Sequence, residues 1–336
     1  MKSILKKLLL LAFSGLLAIA LLEVAIRKLL PHYDPRRQIE FKIDPAYNAA
    51  FGPRSSTIRQ RTPKGDYDLK VTFNADGYRD TKDIRSSTAD DLFALGDSFT
   101  MGWGVEEHER FSELLATGLG RRVFNIGIPG DLDQYAGLLR YAREHGATVS
   151  NVLLGICMNN DLKNYNRSDK LQPSKFGDAS PWKARLRAQL QGRSAIYLAL
   201  SYEIQRYRPL RKLCEKLGIS RDINQLTLRN IYDEEVLASS LQKVKDLSQG
   251  FAPGQFRIMI IPTLGLWIGD SQDEERRIHE AFVRSLRDAG FSVLDMKPIM
   301  EADGNPRIYH FETDAHWNQA GHAFASAALV DWYRHE

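Results

Sequence analysis

At 336 residues the chain is long enough for one large domain or two ordinary ones. A composition of 43% hydrophobic, 26% charged and 10% aromatic residues excludes a disordered chain, a collagen-like repeat and a multi-span membrane protein. Two cysteines, Cys157 and Cys214, exclude a disulfide framework or a cysteine-rich zinc module, and a net charge of +4 is too small to indicate a nucleic-acid partner.

Residues 8–22 form an apolar run, LLLLAFSGLLAIALL, preceded by Lys2, Lys6 and Lys7 and followed by Glu23, Arg27 and Lys28. Such a run reads as a signal peptide or a signal anchor. It reaches the roughly 20 residues needed to span a bilayer only when it continues through Glu23 to Ile26. Ala18-Ile19-Ala20 offers an A-x-A cleavage site, but the leucine-rich helical pattern runs on past it. The expectation is therefore an uncleaved transmembrane anchor over residues 1–30, with a cleaved signal or a buried amphipathic helix as alternatives. An anchor in the cytoplasmic membrane leaves the rest of the chain extracytoplasmic, in the periplasm. Residues 31–65, rich in Pro, Arg and polar side chains, read as a linker to a domain over 66–336.

Tyr67–Phe73 alternates as a strand does, and Asn74–Gly77 is a turn signal. From Asp91 onward short aliphatic runs alternate with helical patterns. Leu92–Leu95 precedes a helix near Arg110–Leu119, and Val123–Ile126 precedes one near Leu132–Glu144. Asn151–Ile156 is a third run, and Arg257–Ile261 is a fourth, followed by a helix near Asp273–Ala289. Phe291–Leu294 is a fifth, and the last helix spans about Gln319–Tyr333. This alternation predicts a parallel sheet with helices on both faces. Residues 162–231 interrupt it. Trp182, Leu186, Leu190, Tyr197, Leu200, Ile204 and Tyr207 fall near helical spacing there, so the segment reads as a helical insertion. Cys157 ends an apolar run and is expected as a buried thiol rather than half of a disulfide.

In parallel sheets the chemistry gathers at the carboxyl ends of the strands. After the first strand comes Gly96-Asp97-Ser98, where a serine can present its oxygen to a cleft or simply cap a helix. After the second comes Asn125-Ile-Gly127-Ile-Pro-Gly130-Asp131, whose glycines allow close backbone approach or form an ordinary turn. After the third comes Met158-Asn159-Asn160-Asp161, with a side-chain amide that can donate to an oxyanion or close an Asx turn. Near the C-terminus Asp314-Ala-His316-Trp317 and Gly321-His322 place an imidazole beside a carboxylate.

Alone, each block is weak. Together and in this order they resemble the SGNH hydrolases, the GDSL esterase and lipase superfamily. The resemblance covers roughly residues 91–161 and 232–336. It implies a three-layer α/β/α fold with a flavodoxin-like parallel sheet, here joined to the helical insertion and the N-terminal membrane helix. It also implies Ser98 as nucleophile, His316 as base and Asp314 as its partner. The oxyanion hole would consist of the Ser98 and Gly130 amides and the Asn160 side chain, without metal or cofactor. Many members place the aspartate three residues before the histidine, where this chain has Thr313. That leaves either Asp314 or a backbone carbonyl to orient His316.

The expected activity is ester hydrolysis through an acyl-serine, as a carboxylesterase or O-deacetylase on an acylated cell-surface glycan. Alternatives are O-acetyl transfer to an exopolysaccharide or cell-wall glycan, a lipase, a metal hydrolase using His310, Asp314, His316 and His322, or a non-catalytic glycan-binding module. Trp103 and Trp317 flank the site as candidate substrate-binding residues, and Arg79 is expected to pair with a nearby acid. The charge is uneven: residues 1–37 carry 7 basic and 2 acidic side chains, residues 162–231 carry 15 and 5, and the remainder 24 and 35. The basic insertion is thus a candidate surface for anionic lipid or glycan.

Overall fold

A computed structural model describes residues 2–62, 64–166, 186, 189–216, 234–269 and 271–335. The chain divides into two compact units. One comprises residues 1–39, 62–65 and 169–220, and the other residues 40–61, 66–168 and 221–336.

In the first unit, helix Lys2–Leu29 is built from Leu, Ala and Ile, and its apolar side chains are exposed around the whole circumference. Ser3–Leu29 has the length and apolar character to cross a membrane, with a mean hydropathy of 2.5 over its most apolar 18 residues. Helices Ala195–Arg206 and Arg208–Lys216 complete the unit's described long elements. They and residues 189–193 are helical as the spacing of the insertion predicts, while Trp182 and much of the rest of 162–231 lie outside the described residues. Ser194 caps the first of these helices by accepting a hydrogen bond from the Tyr197 amide at 3.1 Å.

The second unit opens with strands inside the stretch that reads as a linker. β1 (Lys42–Asp44) pairs antiparallel with β2 (Ala49–Phe51), and β3 (Ser56–Arg61) pairs with β4 (Asp68–Phe73). Residues 42–61 are therefore not a linker. Their strands are three to six residues long, too short for a period-two pattern to stand out from the prolines and arginines around them. They are held by long-range contacts instead: Ala49 and Phe51 are buried against the core that includes Leu138 and Tyr141.

The central sheet has five parallel strands: β5 (Leu92–Leu95), β6 (Val123–Asn125), β7 (Asn151–Cys157), β8 (Phe256–Ile261) and β9 (Ser292–Asp295). The order β6-β5-β7-β8-β9 is the flavodoxin-like arrangement expected for this fold. Burial on both faces explains why these strands read as nearly continuous apolar runs. Side chains alternate between two cores. Phe93, Val152, Leu154, Ile258 and Ile260 face helices Leu132–Glu144, Glu234–Ser248 and Gln272–Asp288. Leu92, Ala94, Leu153, Met259 and Ile261 face Phe111–Leu119, Met296–Ala302 and Gln319–His335. The chain leaves β5 through one helical layer and β6 through the other, so the carboxyl end of β5 lies at a topological switch point.

Candidate active site

At that switch point the chain turns sharply. Gly96 has φ +156°, and a Cβ there would stand 2.7 Å from the Gly155 carbonyl oxygen of the neighbouring strand, so only glycine fits. Asp97, not Ser98, caps the short helix Ser98–Met101 by accepting from the Phe99 amide at 2.9 Å. Ser98 thus occupies the first helical position with its hydroxyl directed at His316. Two buried arginines hold the chain just beyond. Arg79 donates to the carbonyls of Gly102 and Val105, and Arg110 to those of Arg79 and Met101. Arg79 therefore binds backbone carbonyls rather than an acid, and burial, with Arg110 beside it, draws its pKa down to about 9.

His316 arrives from the opposite end of the sequence on a tight loop. His310 and Trp317 form an antiparallel bridge, and the Phe311 amide donates to the His316 carbonyl at 3.1 Å. The imidazole Nε2 lies 2.7 Å from Ser98 Oγ, and Nδ1 meets Asp314 Oδ1. The same carboxylate oxygen accepts the His316 backbone amide at 3.0 Å. A carboxylate two residues before the histidine therefore reaches the ring, and no backbone carbonyl takes its place. Thr313, at the more usual aspartate position, is tied by its hydroxyl and amide to Asp66. Burial works to raise the Asp314 pKa, but the charge and hydrogen bonds of His316 outweigh it and hold the carboxyl below its ordinary value. For His316, burial opposes the charged ring, and Asp314 overcomes this to leave the imidazole pKa raised. An ionised Asp314 fixes the Nδ1–H tautomer and leaves the Nε2 lone pair facing Ser98.

Asn160 comes from the single helical turn Met158–Asp161 that follows β7. Its Nδ2 donates to Asp97 Oδ2 at 2.6 Å, which sets the amide one residue from Ser98. Asp161 does not point outward; its Oδ2 accepts the Cys157 amide, and burial and the nearby Asp97 push its pKa well up. Gly130 lies on the loop after β6. That loop is docked by the Ile128 amide on the Gly96 carbonyl at 3.0 Å and by Asn125, whose Nδ2 donates to Thr100 O at 2.6 Å. Asp131 then caps helix Leu132–Glu144. Ser98, His316 and Asp314 are in direct contact, and Asn160 touches their support. Gly130 sits on a loop bonded to the same turn, two residues beyond its anchor.

Of the two tryptophans, Trp103 is partly exposed and stacks on the His316 ring at 5.8 Å between centroids. Trp317 does not line a pocket. It is fully buried, edge-on to Phe99 and His322, because alternation along the short bridge turns it inward where His316 faces out. His310 and His322 do not join Asp314 and His316 as a ligand set. Burial draws their pKa values down to about 4 and about 3, and they bond the Pro306 carbonyl and the Phe111 amide. Among the described residues no group of three His, Cys, Asp or Glu side chains is placed to hold a metal ion.

One participant escapes a reading of the motifs. Tyr67, immediately before β4, donates its hydroxyl to Asp314 Oδ2 at 3.1 Å and accepts the Trp103 indole N–H at 2.5 Å. It lies 247 positions from Asp314, and no motif in the sequence links the two.

No curated protein matches the sequence. Among solved structures, a G-D-S-L lipolytic protein from Veillonella parvula is 12% identical, with 73% of this chain and 98% of that one covered and a TM-score of 0.37. A lipase/acylhydrolase from Enterococcus faecalis is 12% identical over 73% and 95%, with a TM-score of 0.40. A carbohydrate esterase family 2 enzyme with a carbohydrate binding domain, from Corynascus thermopiles, is 14% identical over 73% and 66%, with a TM-score of 0.35. A family model, that of the GDSL-like lipase/acylhydrolases, matches residues 94–324, which is more than half of the chain and includes every block from Ser98 to His316. On that match the chain belongs to the GDSL-like lipase/acylhydrolase family, the SGNH hydrolases, which act on ester bonds.

Proposed function

We propose that this chain is a serine esterase, anchored by helix Lys2–Leu29 with its catalytic unit in the periplasm, that removes acyl groups from a cell-surface glycan. The observation that carries the serine mechanism is the unbroken line Ser98 Oγ, His316 Nε2, His316 Nδ1, Asp314 Oδ1. Ser98 Oγ attacks the ester carbonyl as its proton passes to His316 Nε2, and Asp314 holds the resulting imidazolium. The carbonyl electrons move to oxygen, where the Asn160 amide and the Ser98 and Gly130 backbone N–H groups receive them. Collapse breaks the bond to the alcohol, which leaves with the proton from His316. A water molecule, deprotonated by the same ring, then releases the acid from Ser98. The partly exposed Trp103 ring beside His316 offers a flat apolar wall that suits an acetyl group or a sugar ring.

Intact-mass analysis after exposure to acetyl, butyryl and long-chain esters tests this reading. The expected result is a short-chain acyl adduct on Ser98 that disappears in water. An adduct from long-chain esters alone would overturn the glycan reading in favour of a lipase. Passage of the acyl group to the hydroxyl of an added polysaccharide, faster than to water, would make the enzyme an O-acetyltransferase.

Two substitutions probe the supporting groups. Asn160→Ala is expected to lower kcat by about 10²–10³ with little change in KM, since the amide acts on charge that develops in the transition state. Tyr67→Phe removes a donor to a charged oxygen, and kcat is expected to fall about tenfold while Tm stays within a few degrees. If Tyr67 acts through the carboxylate, its effect vanishes in an Asp314→Asn background. An additive loss in that double variant would show that Tyr67 acts elsewhere.

A further inference from the structure

The first unit carries a second apolar surface besides its long helix. Leu200 and Ile204 on Ala195–Arg206 and Tyr207 at its C-cap recur at helical spacing and are exposed, Leu200 by 57% and Tyr207 by 61%. On Arg208–Lys216, Leu210 and Leu213 are also exposed, by 42% and 50%. At about 100° per residue, Leu210, Leu213 and Cys214 share one side of that helix and Arg208, Lys212 and Lys216 the other. Exposed apolar residues opposite a basic face are the pattern of a helix lying in a membrane interface.

Contacts within the unit specify which surface such a helix meets. The apolar run Leu8–Leu22 is bounded by Lys6 and Lys7 at one end and by Glu23 and Arg27 at the other, and at 1.5 Å per residue it is about 22 Å long, so a helix that spans the hydrocarbon core carries on to about Ile26. Glu23, the first charged residue after the run, therefore stands near the edge of the hydrocarbon. Its carboxylate accepts the amides of Ala195 at 2.7 Å and Ile196 at 3.1 Å and the Ser194 hydroxyl at 3.1 Å, and Arg27 bonds it at 2.7 Å. The start of helix Ala195–Arg206 is thus fastened to the boundary. Its second half is held to the segment leaving the bilayer, where the Tyr33 hydroxyl bonds Glu203 and the Tyr33 and Tyr202 rings meet at 5.9 Å.

We propose that Ala195–Lys216 is an interfacial helix pair that docks on the bilayer holding helix Lys2–Leu29 and prefers anionic lipid, its leucines entering the acyl boundary and its lysines and arginines meeting headgroup charge. The inference rests on reading that long helix as a membrane anchor. It assigns the basic character of the insertion to lipid rather than to glycan, because the helix pair is fastened at the membrane boundary.

The protein supplies its own reporter. Cys214 is partly exposed on the apolar side of the second helix, whereas Cys157 is buried and burial pushes its thiol pKa well up. The full chain, labelled at Cys214 with an environment-sensitive fluorophore, is reconstituted into vesicles of phosphatidylcholine alone or mixed equally with phosphatidylglycerol. Flotation with either vesicle in high salt reports insertion of the long helix by itself. The expected result is flotation with both, and a blue-shifted Cys214 label, quenched by lipid-borne quenchers, only in the anionic mixture at low salt. Each substitution of Arg206, Arg208, Lys212 or Lys216 by Gln is expected to lower the docked-to-undocked ratio about fivefold. Leu210→Glu with Leu213→Glu should abolish quenching without affecting flotation. Flotation with a label that stays in water in both vesicles would overturn the docking and leave the anchor standing. Failure to float would overturn both. Docking that is equal in the two vesicles, or a label shift produced by soluble polygalacturonate without vesicles, would overturn the assignment to anionic lipid.

Discussion

Replacing Ser98 with alanine is expected to lower kcat by roughly 10⁶, leaving only what the oxyanion donors and binding supply. Fluorophosphonate labelling of the chain should be lost with it. The reason is geometric. Ser98 Oγ is the hydroxyl that touches the His316 Nε2 lone pair, at 2.7 Å, and the serine stands on a turn that Gly96 and Asp97 hold open. Asp97 makes the cap and takes the Asn160 amide, so the alanine variant keeps those bonds and its Tm should stay near that of the wild type. Persistent labelling at another serine, or retained turnover, would remove Ser98 from the mechanism.

The second large effect is on Asp314. Asp314→Asn is expected to lower kcat by about 10⁴, because an amide in place of the carboxylate favours the wrong imidazole tautomer. The pH profile should change in a defined direction. In the wild type the Asp314 charge outweighs burial and raises the His316 pKa, so kcat/KM should fall, as pH is lowered, at an acidic limb above the ordinary imidazole value. Below that limb His316 is an imidazolium and cannot accept the Ser98 proton. Removing the carboxylate leaves only the more weakly acting Asp97 charge against burial, and the limb should move to lower pH while the plateau drops. A variant with an unmoved limb would mean that another group sets the His316 proton affinity.

Much of this arrangement is readable in local sequence. A four-residue apolar run that stops at a glycine, as Leu92–Leu95 does, yields a buried parallel strand because its alternate side chains meet two cores. The blocks around Ser98, Asn160 and His316 are short and contiguous, and each marks the end of a strand or the approach to a helix. The Asp314-x-His316 spacing is likewise local, and it suffices for one carboxylate oxygen to meet both the backbone amide and Nδ1 of the histidine.

Other features are not legible locally, because the deciding partner lies far along the chain. Trp317 follows His316 directly, which suggests a place at the site. A fold in which His310 and Trp317 bridge turns successive side chains to opposite sides, and the indole enters the core. Arg79 lies among acids in the sequence, but its guanidinium is buried against the carbonyls of Gly102 and Val105. The strands of residues 42–61 are too short to declare themselves and exist because the core and β4 receive them.

The sequence alone therefore determined the alternation of parallel strands with helices and the apolar N-terminal helix, which depend on periodicity and turn chemistry within one element, while the candidate triad followed from the resemblance of its ordered blocks to the SGNH hydrolases. Only the tertiary structure decided that Asp314 rather than a carbonyl faces His316, that Tyr67 holds its second oxygen, that Trp317 is core, and that Glu23 fastens helix Ala195–Arg206. Each of those is a hydrogen bond or packing contact between side chains or chain segments that only the folded chain brings within reach, and whether such a contact forms depends on the position of the whole element that carries each partner.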